Sequence, residues 1–352
     1  MRWLGAAASC AFGILVGCGG GDDSLADAGP AESGLPTGRA ETLTHSFPTF
    51  DVAAGEEQWR NCQSWTLGNA APLFVNRVTA TNGGVWHHSN WLFVRENSFR
   101  GDDGTWVCRD RGYDEVAAGL NGGVFFAQST QALTETQQFP PGVAIRIPPR
   151  GRVVGNVHLV NATPEARSTA MTFEVETLDE EDVHTQLAPL SYTYTALDIA
   201  PRAISRFTMD CDIATPYQDQ LGRAPDFAVY YVLPHYHALG NYFRLELVGG
   251  DNDGMVIFET GAAIGDPLGA SLDPPVEVRG ATAIRMTCGF DNPRDEWVRY
   301  GIGDQEMCVV LAFTDAQLKL LGVADTGTAL GRGSDGIWMN TGNCRAYGVI
   351  DF

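Results

Sequence analysis

Residues 227–237 read FAVYYVLPHYH, an apolar run that ends in Leu233, His235 and His237. Its Val, Tyr and Phe residues favour a β-strand, and strand side chains alternate between two faces, so His235 and His237 project from one side, one pleat apart. Two imidazoles in this arrangement can share one metal ion, although His-x-His pairs also occur in strands as hydrogen-bonded side chains. The stretch therefore predicts a strand whose end carries a candidate metal site.

The rest of the chain repeats this strand-like composition. Short segments rich in Val, Phe, Tyr, Trp and Thr alternate with Gly, Pro, Asn and Asp, which is typical of an all-β fold. Residues 170–176 (AMTFEVE) and 242–247 (YFRLEL) alternate as half-exposed strands, and residues 306–313 (EMCVVLAF) are apolar on both faces, which predicts a central strand. One helix is predicted, from the capping-box pattern TDAQ at 314–317 into LKLL at 318–321.

The N-terminal segment is predicted to be an export signal rather than part of the fold. Arg2, an apolar run from Trp3 to Val16 and the sequence LVGC at 15–18 match a lipoprotein signal, residues 1–17, that is cut before an acylated Cys18. The apolar run is shorter than the roughly 20 residues of a spanning helix. Because Gly19 replaces the aspartate that favours inner-membrane retention, we expect an outer-membrane anchor, with the protein facing the periplasm or the surface.

Length and composition predict the domain organisation. Residues 18–45 contain mainly Gly, Asp, Ser, Ala, Pro and Thr, which predicts a flexible tether. The remaining length suits two domains, and the acidic, proline-containing region 179–201 predicts a boundary near Leu187. The expected domains are residues 46–186 and 187–352. A turn is favoured over a calcium loop at 251–254 (DNDG), because the regularly spaced acids of an EF-hand are missing.

Charge and cysteine content narrow the function classes. The formal net charge of −20, without a Lys/Arg cluster, excludes a nucleic-acid partner, because phosphate binding needs a basic patch. Beyond Cys18 the chain contains six further cysteines, an even number that predicts three disulfides in an exported protein and leaves fifteen pairings open. They are Cys62, Cys108, Cys211, Cys288, Cys308 and Cys344.

Four further residues are candidate metal ligands, each with a structural alternative. His87 and His88 follow Gly83 and Gly84, and they can face one ion only if the strand is bulged there; otherwise one histidine is buried and the other is exposed. His158 lies in an apolar strand, where a lone histidine is usually a hydrogen-bonded core residue. Met307 in a central strand is usually core packing, but its thioether is a soft donor that favours copper beside imidazole.

In this order the motifs resemble the copper type II, ascorbate-dependent monooxygenases, the family of peptidylglycine α-hydroxylating monooxygenase and dopamine β-monooxygenase. The resemblance covers essentially everything after the tether. It is carried by WHH at 86–88, NVH at 156–158, HYHALG at 235–240, MTCGFDN at 286–292 and EMC at 306–308.

The resemblance implies two tandem antiparallel, jelly-roll-like β-sandwich domains with a solvent-filled cleft between them and one copper ion on each side. His87, His88 and His158 would match the copper that relays an electron. His235, His237 and Met307 would match the catalytic copper, where dioxygen is used to hydroxylate a substrate C–H bond with electrons from ascorbate or another one-electron donor. The implied disulfides are Cys62 with Cys108, Cys288 with Cys308, and Cys211 with Cys344.

The chain departs from the family pattern at the substrate site. Family members that act on peptides hold the substrate carboxylate with an arginine, an asparagine and a tyrosine, at positions occupied here by Leu233, Val309 and Leu311. Apolar side chains cannot bind a carboxylate, since an unpaired buried charge is costly. We therefore expect a small neutral or aromatic substrate. Ser89 also replaces a methionine that follows the His-His pair in the family, but this residue is not a copper ligand.

Two other function classes remain open. A copper-binding or copper-carrier lipoprotein with the same fold would bind the metal without turnover. A surface adhesion module with structural zinc would fill the histidine sites with zinc, and the soft Met307 argues against it. The monooxygenase hypothesis predicts a monomer that binds a small-molecule substrate and dioxygen and is attached to the membrane through a lipid on Cys18.

Overall fold

The computed structural model describes residues 36–128, 131–262, 268–301 and 303–350. The predicted signal at 1–17, the acylation site Cys18 and the tether up to residue 35 lie outside the described residues. Within them the all-β prediction is confirmed, because strands form nearly all of the regular structure.

Twenty-five strands are described, together with two short α-helices and two 3₁₀ turns. In chain order the strands β1 to β25 are Thr42–Ser46, Phe50–Val52, Glu57–Thr66, Leu73–Asn82, Trp86–Arg95, Gly104–Val107, Gly123–Gln128, Thr134–Gln138, Val143–Ile147, Gly151–Val160, Arg167–Thr169, Met171–Leu178, Thr185–Gln186, Ala188–Tyr194, Asp198–Ile199, Ala203–Asp212, Ala228–His235, Gly240–Val248, Val256–Thr260, Ala270–Glu277, Ala283–Asn292, Val298–Arg299, Val309–Thr314, Leu318–Arg332 and Trp338–Ile350. The helices are α1, Glu115–Asn121, and α2, Ala214–Leu221, and the 3₁₀ turns are Cys108–Arg111 and Glu180–Asp182. Neither helix has the length or the apolar character needed to cross a membrane.

The first half of the chain is a β-sandwich. One sheet has the strand order β1-β12-β4-β9-β13, with β8 on β4, and the other has the order β6-β3-β10-β5-β7. Alternate side chains of both sheets face a common apolar core, in which Trp91 and Phe173 meet edge to face with ring centroids 4.8 Å apart. This packing fixes β5 and β10, the neighbouring strands that carry His87, His88 and His158.

The second half is built from one ten-stranded sheet in the order β19-β18-β21-β16-β25-β24-β14-β23-β17-β20. Side chains from across the sheet meet in a single core, so the sheet folds over on itself. Most neighbours are antiparallel, but β14 with β24 and β16 with β25 are parallel. The strand predicted at 306–313 is central, since β23 lies between β14 and β17, although it begins only at Val309.

The helix predicted at 314–321 is wrong. Leu318 begins β24, which pairs with β14 and β25, and its side chain is buried in the core of the second half. The capping-box residues serve a turn between strands instead. The Asp315 carboxylate accepts hydrogen bonds from the Ala228 backbone N–H and the Tyr230 hydroxyl, so tertiary pairing overrides the local helix signal.

The tether ends earlier than residue 45. Strand β1 covers Thr42–Ser46 and pairs with β12 along its length. Leu43 is buried in the core of the first half and gives this edge strand an apolar anchor that the polar composition around it obscures. At 251–254 the predicted turn is confirmed, because Gly254 donates its backbone N–H to Leu247 O across the β18–β19 hairpin.

The three predicted disulfides are confirmed in the pairing that the family resemblance implies. Cys62 on β3 is bonded to Cys108, Cys211 on β16 to Cys344 on β25, and Cys288 on β21 to Cys308 just before β23. Cys62 lies on β3, which pairs with the histidine-bearing β10, and Cys308 lies just before β23, which pairs with β17.

The two halves share apolar packing. Strand pairing changes over at the predicted boundary near Leu187, since in the described residues β1 to β13 pair only among themselves and so do β14 to β25. The core of the first half nevertheless includes Leu187, Tyr231, Leu233, Leu311 and Phe313. Because β17 and β23 present these side chains to the first half, the end of β17 is held against β5 and β10. The division into two domains stays a prediction.

Candidate metal centre

Five of the seven histidines converge on one place. They come from β5, from β10, from the end of β17 and from the turn that follows it, that is, from both halves of the chain. The ring centroids are 5.4 Å apart for His87 and His88, 4.8 Å for His87 and His158, 4.9 Å for His87 and His237, 4.8 Å for His88 and His158, 5.1 Å for His88 and His235, and 5.2 Å for His235 and His237. We call these five residues the histidine cluster.

The predicted backbone distortion at His87 and His88 is present. His158 on β10 pairs with His88, but the next pair is Leu159 with Trp86, so His87 is an extra residue in β5. Val85, just before the bulge, has a positive φ of 60°. A bulge cancels the strict alternation of faces, which is why two adjacent histidines can reach the same centre.

His158 is held by a carboxylate that the sequence did not single out. Its Nε2 lies 2.7 Å from Glu57 Oε1, and its Nδ1 lies 3.1 Å from His88 Nε2. A carboxylate accepts, so Nε2 of His158 carries the proton and Nδ1 presents its lone pair. The imidazole N–H of His88 at Nε2 then donates to His158 Nδ1, which leaves the lone pair of His88 on Nδ1.

His237 has a tautomer that is fixed by the backbone. Its Nδ1 lies 2.8 Å from the carbonyl oxygen of Gln305, and since a carbonyl only accepts, Nδ1 must carry the proton. The lone pair of the neutral ring is therefore on Nε2, a buried atom with no hydrogen-bond partner among the described residues. A carbonyl that orients one ring nitrogen and leaves the other bare is the usual arrangement around a metal-binding histidine.

Glu306 fastens the turn that carries His237. One carboxylate oxygen accepts the His237 backbone N–H at 2.8 Å, and the other accepts that of Leu239 at 2.7 Å. Burial raises the pKa of this carboxyl to about 7, although the backbone hydrogen bonds from Leu239, His237 and Met307 oppose the rise. Glu306 thus acts as a buried brace behind the cluster.

Met307 lies between this brace and β23. Its neighbour Cys308 is buried in the core of the second half, whereas Met307 is half-buried and is not part of that core, as expected from alternating faces. Strand pairing ends with His235 opposite Val309, so Met307 lies two residues before the first residue of β23, next to the Glu306 brace.

Burial favours the neutral form of four of the five histidines. The pKa of His87 is lowered to about 3 by burial, with smaller effects from His237 and His158. Burial also lowers the pKa of His88, His158 and His237, and the contact with Glu57 only partly opposes this for His158. Neutral imidazole is the form that binds metal ions, so the lone pairs are available at neutral pH.

These donors fit a transition-metal ion. One nitrogen from each of His88, His235 and His237 lies within 4.8 Å of the others. Nε2 of His87 is a further buried atom without a hydrogen-bond partner among the described residues, while its Nδ1 faces the Gln131 side-chain amide at 2.9 Å. The facing atom is the amide nitrogen of Gln131, which donates, so Nδ1 of His87 accepts and the ring proton is on Nε2; His87 is a neighbour of the candidate ligands His88, His235 and His237. An all-imidazole set suits copper or zinc, and a thioether would favour copper.

The two halves of the site are in contact, so the solvent-filled cleft implied by the family resemblance is not the arrangement seen here. Ring contacts of His87 with His237 and of His88 with His235 close the space that would separate two metal ions. Of the predicted pocket residues, Leu233 and Leu311 are 2% and 8% exposed and lie in the core shared by the two halves. Only Val309 is half-buried beside the cluster, opposite His235.

Sequence reasoning missed four supporting residues. Glu57, Gln131 and Gln305 contact histidine rings from loops and strand ends that have no distinctive spacing from the histidines. Glu306 could have been found, because it belongs to the quoted Glu-Met-Cys motif and is a lone acid at the start of an otherwise apolar run. A buried acid of that kind needs partners.

Comparisons with known proteins add little. No protein-family model and no curated protein matches the chain. Among solved structures, it is similar to PBCV-1 Vp54 as fitted into a reconstruction of the virophage Sputnik, with 9% identity, 78% of this chain and 93% of that chain covered, and a TM-score of 0.28. It is also similar to PNGase F, a glycosylasparaginase from Flavobacterium meningosepticum, with 6% identity, 78% and 97% coverage and a TM-score of 0.33. These scores are too low to carry an argument about function.

Proposed function

We propose that this protein is a copper-dependent monooxygenase that hydroxylates a C–H bond of a small neutral or aromatic substrate. The observation that carries the proposal is the tautomer of His237: its proton is held by Gln305 O, its buried Nε2 has no hydrogen-bond partner among the described residues, and its ring lies 4.9 Å from that of His87 and 5.2 Å from that of His235. The residues that would hold copper come from the histidine cluster, chiefly His88, His235 and His237, with Met307 as the soft donor. Bound copper would supply one-electron redox chemistry between dioxygen and an external reductant, ascorbate or another donor.

The chain's own residues prepare the site. Glu57 and the Gln305 carbonyl orient His158 and His237 through the ring nitrogen that does not face the cluster. Their hydrogen bonds fix the tautomers before any ion binds, which lowers the entropy that binding must overcome. Burial lowers the pKa of His87, His88, His158 and His237 and so favours their neutral form.

The substrate class follows from the apolar side chains near the cluster. Since Leu233 and Leu311 are packed in the shared core, Val309 is the member of the three that can contact a substrate next to His235. A valine offers apolar contact and no hydrogen bond, so it suits a neutral or aromatic surface and not a carboxylate. This supports the expectation from the sequence.

Oxygen consumption by the copper-loaded protein tests the proposal. With ascorbate and a panel of neutral and aromatic substrates, we expect uptake that requires both copper and reductant and that disappears in His235→Ala and Met307→His. The exposed His184, outside the cluster, supplies the control His184→Ala, which should retain full uptake. Copper binding without any consumption across the panel would refute the enzymatic function.

A copper carrier is the second candidate, and one observation favours it. The two sets of histidines touch and Leu233 is buried, so the site is closed on the side where the sequence predicted a substrate pocket. A carrier of this kind would bind Cu(I) tightly, release it to a competing chelator and leave the rate of ascorbate oxidation unchanged. The oxygen-uptake experiment separates the two candidates directly.

Export and anchoring through Cys18 belong to the same proposal. The three disulfides support an oxidising compartment, where such bonds form and persist. Incorporation of a labelled fatty acid into the wild-type protein, and its loss in Cys18→Ser, would test the anchor.

A further inference from the structure

We infer that a single metal ion is bound jointly by His88, His235 and His237, so that one site draws its ligands from both halves of the chain. This rests on the proposed function but divides the ligands differently from the family resemblance, in which His88 and His235 serve separate ions. The basis is that one nitrogen from each of the three rings lies within 4.8 Å of the other two.

The distances suit one ion. Three imidazole nitrogens bound at about 2.0–2.1 Å to one ion lie roughly 3.4 Å from one another in tetrahedral geometry. Bringing nitrogens within 4.8 Å to that spacing needs only small rotations of the rings. Because Glu306 braces the backbone around His237, the adjustment would fall on the rings of His88 and His235.

The hydrogen bonds give His158 a supporting role and not that of a metal ligand. Because its Nε2 donates to Glu57, its Nδ1 lone pair accepts the proton that His88 carries on Nε2, at 3.1 Å. That bond fixes the tautomer of His88 and leaves Nδ1 of His88 to bind the ion. His158 is therefore a positioning residue for His88, part of a Glu57–His158–His88 relay, in the way that a carboxylate or carbonyl usually supports a metal-bound histidine.

The shared site has a mechanical consequence. His88 belongs to β5 in the sandwich of the first half, and His235 ends β17 in the ten-stranded sheet of the second half. An ion bound by both ties these sheets together next to the shared apolar core. Binding should therefore stabilise the two halves at once, and its loss should loosen the contact between them.

Anaerobic Cu(I) titration of the full chain against a chromophoric chelator tests this inference. We expect one tight equivalent in the wild type. Its affinity should fall by more than about 100-fold in His88→Ala and in His235→Ala, but only by about 10- to 100-fold in His158→Ala, the range typical of a supporting residue. The double variant His88→Ala/His235→Ala should lose no more than either single variant, because both remove the same site.

A second readout protects against misfolded variants. The Cu(I)-induced rise in thermal midpoint should be lost in His88→Ala and His235→Ala and kept in His184→Ala, and His88→Gln replaces His88→Ala if the alanine variant does not fold. If each single variant keeps one tight equivalent and the double variant loses two, the shared site is wrong while copper binding stands. If the wild type binds no Cu(I), both this inference and the proposed function are refuted.

Discussion

Lowering the pH should destabilise the metal-free protein through His87. Burial, followed by the effects of His237 and His158, lowers its pKa from 6.5 to about 3. As the pH falls below 6.5, His87 of the unfolded chain takes up a proton, whereas His87 of the folded chain stays neutral until about pH 3. The unfolded state then binds more protons, so the free energy of unfolding decreases with falling pH across this window.

The size of the effect follows from the same shift. At about pH 5 the solution is roughly 1.5 units below the pKa of the unfolded state, and one unit is worth about 1.4 kcal/mol, so His87 alone should cost about 2 kcal/mol of stability relative to neutral pH. His88, His158 and His237, which face His87, also have lowered pKa values and act in the same direction. Glu306 acts in the opposite direction, because its pKa is raised to about 7.

Urea unfolding followed by circular dichroism measures this contribution by difference. The metal-free wild type and His87→Asn are unfolded at about pH 7.5 and about pH 5, and the change with pH is compared between them. The comparison cancels Glu306 and the many surface carboxylates, which titrate in both proteins. We expect the wild type to lose about 2 kcal/mol more than His87→Asn between the two pH values. His184→Asn should behave as the wild type does.

An equal loss in the wild type and in His87→Asn would refute the reasoning. It would mean that His87 accepts a proton in the folded protein near its ordinary pKa, and so that the cluster is open to water. The histidine cluster would then be a hydrated set of side chains and not the buried, neutral ligand set described above.

Two acidic residues support further predictions. Glu57→Gln should weaken Cu(I) affinity by about 10- to 100-fold, because an amide orients His158 less strongly than a carboxylate. Competition with a chelator measures this affinity. The control is Glu165→Gln, which changes an acid whose side chain is 76% exposed and should bind Cu(I) as the wild type does. Glu306→Gln should lower the free energy of unfolding by about 1–3 kcal/mol, because one carboxylate oxygen that accepts a backbone N–H from His237 or Leu239 becomes an NH₂ donor. Urea midpoints unchanged in Glu306→Gln would contradict the assigned brace.

Local pattern was enough to predict much of the fold. Alternation in residues 227–237 predicted the strand β17, which ends at His235, whereas His237 follows in the turn with its ring 5.2 Å from that of His235. The glycines before His87 indicated the bulge that lets two adjacent histidines share a centre. These features depend on neighbours in sequence, where side-chain periodicity and turn chemistry are decisive. The disulfide pairing needed the family resemblance, since spacing alone left fifteen possibilities.

Features set by distant packing could not be predicted. The capping box before Leu318 is a typical local helix signal. It is overridden by the pairing of this segment with β14 and β25, which buries Leu318 in the core. The contact between the rings of His87 and His237 depends on how the two halves of the chain pack. No local sequence pattern predicts such a contact between residues that are far apart in the chain. Glu57 was missed for the same reason, because its partner His158 lies 101 residues away.

Apolar side chains of β17 and β23 are part of the core of the first half, and this affects how the protein unfolds. Tyr231 and Phe313 both pack against Phe139, with ring centroids 6.1 and 5.2 Å apart. If the chain were cut near Leu187, these rings would be exposed to water on the C-terminal fragment, and the core of the N-terminal fragment would contain a cavity. Each large side chain that is exposed would lose roughly 1.5–3 kcal/mol of burial free energy. The polypeptide should accordingly melt in one cooperative transition, and neither fragment should be expected to survive as an independent, soluble piece.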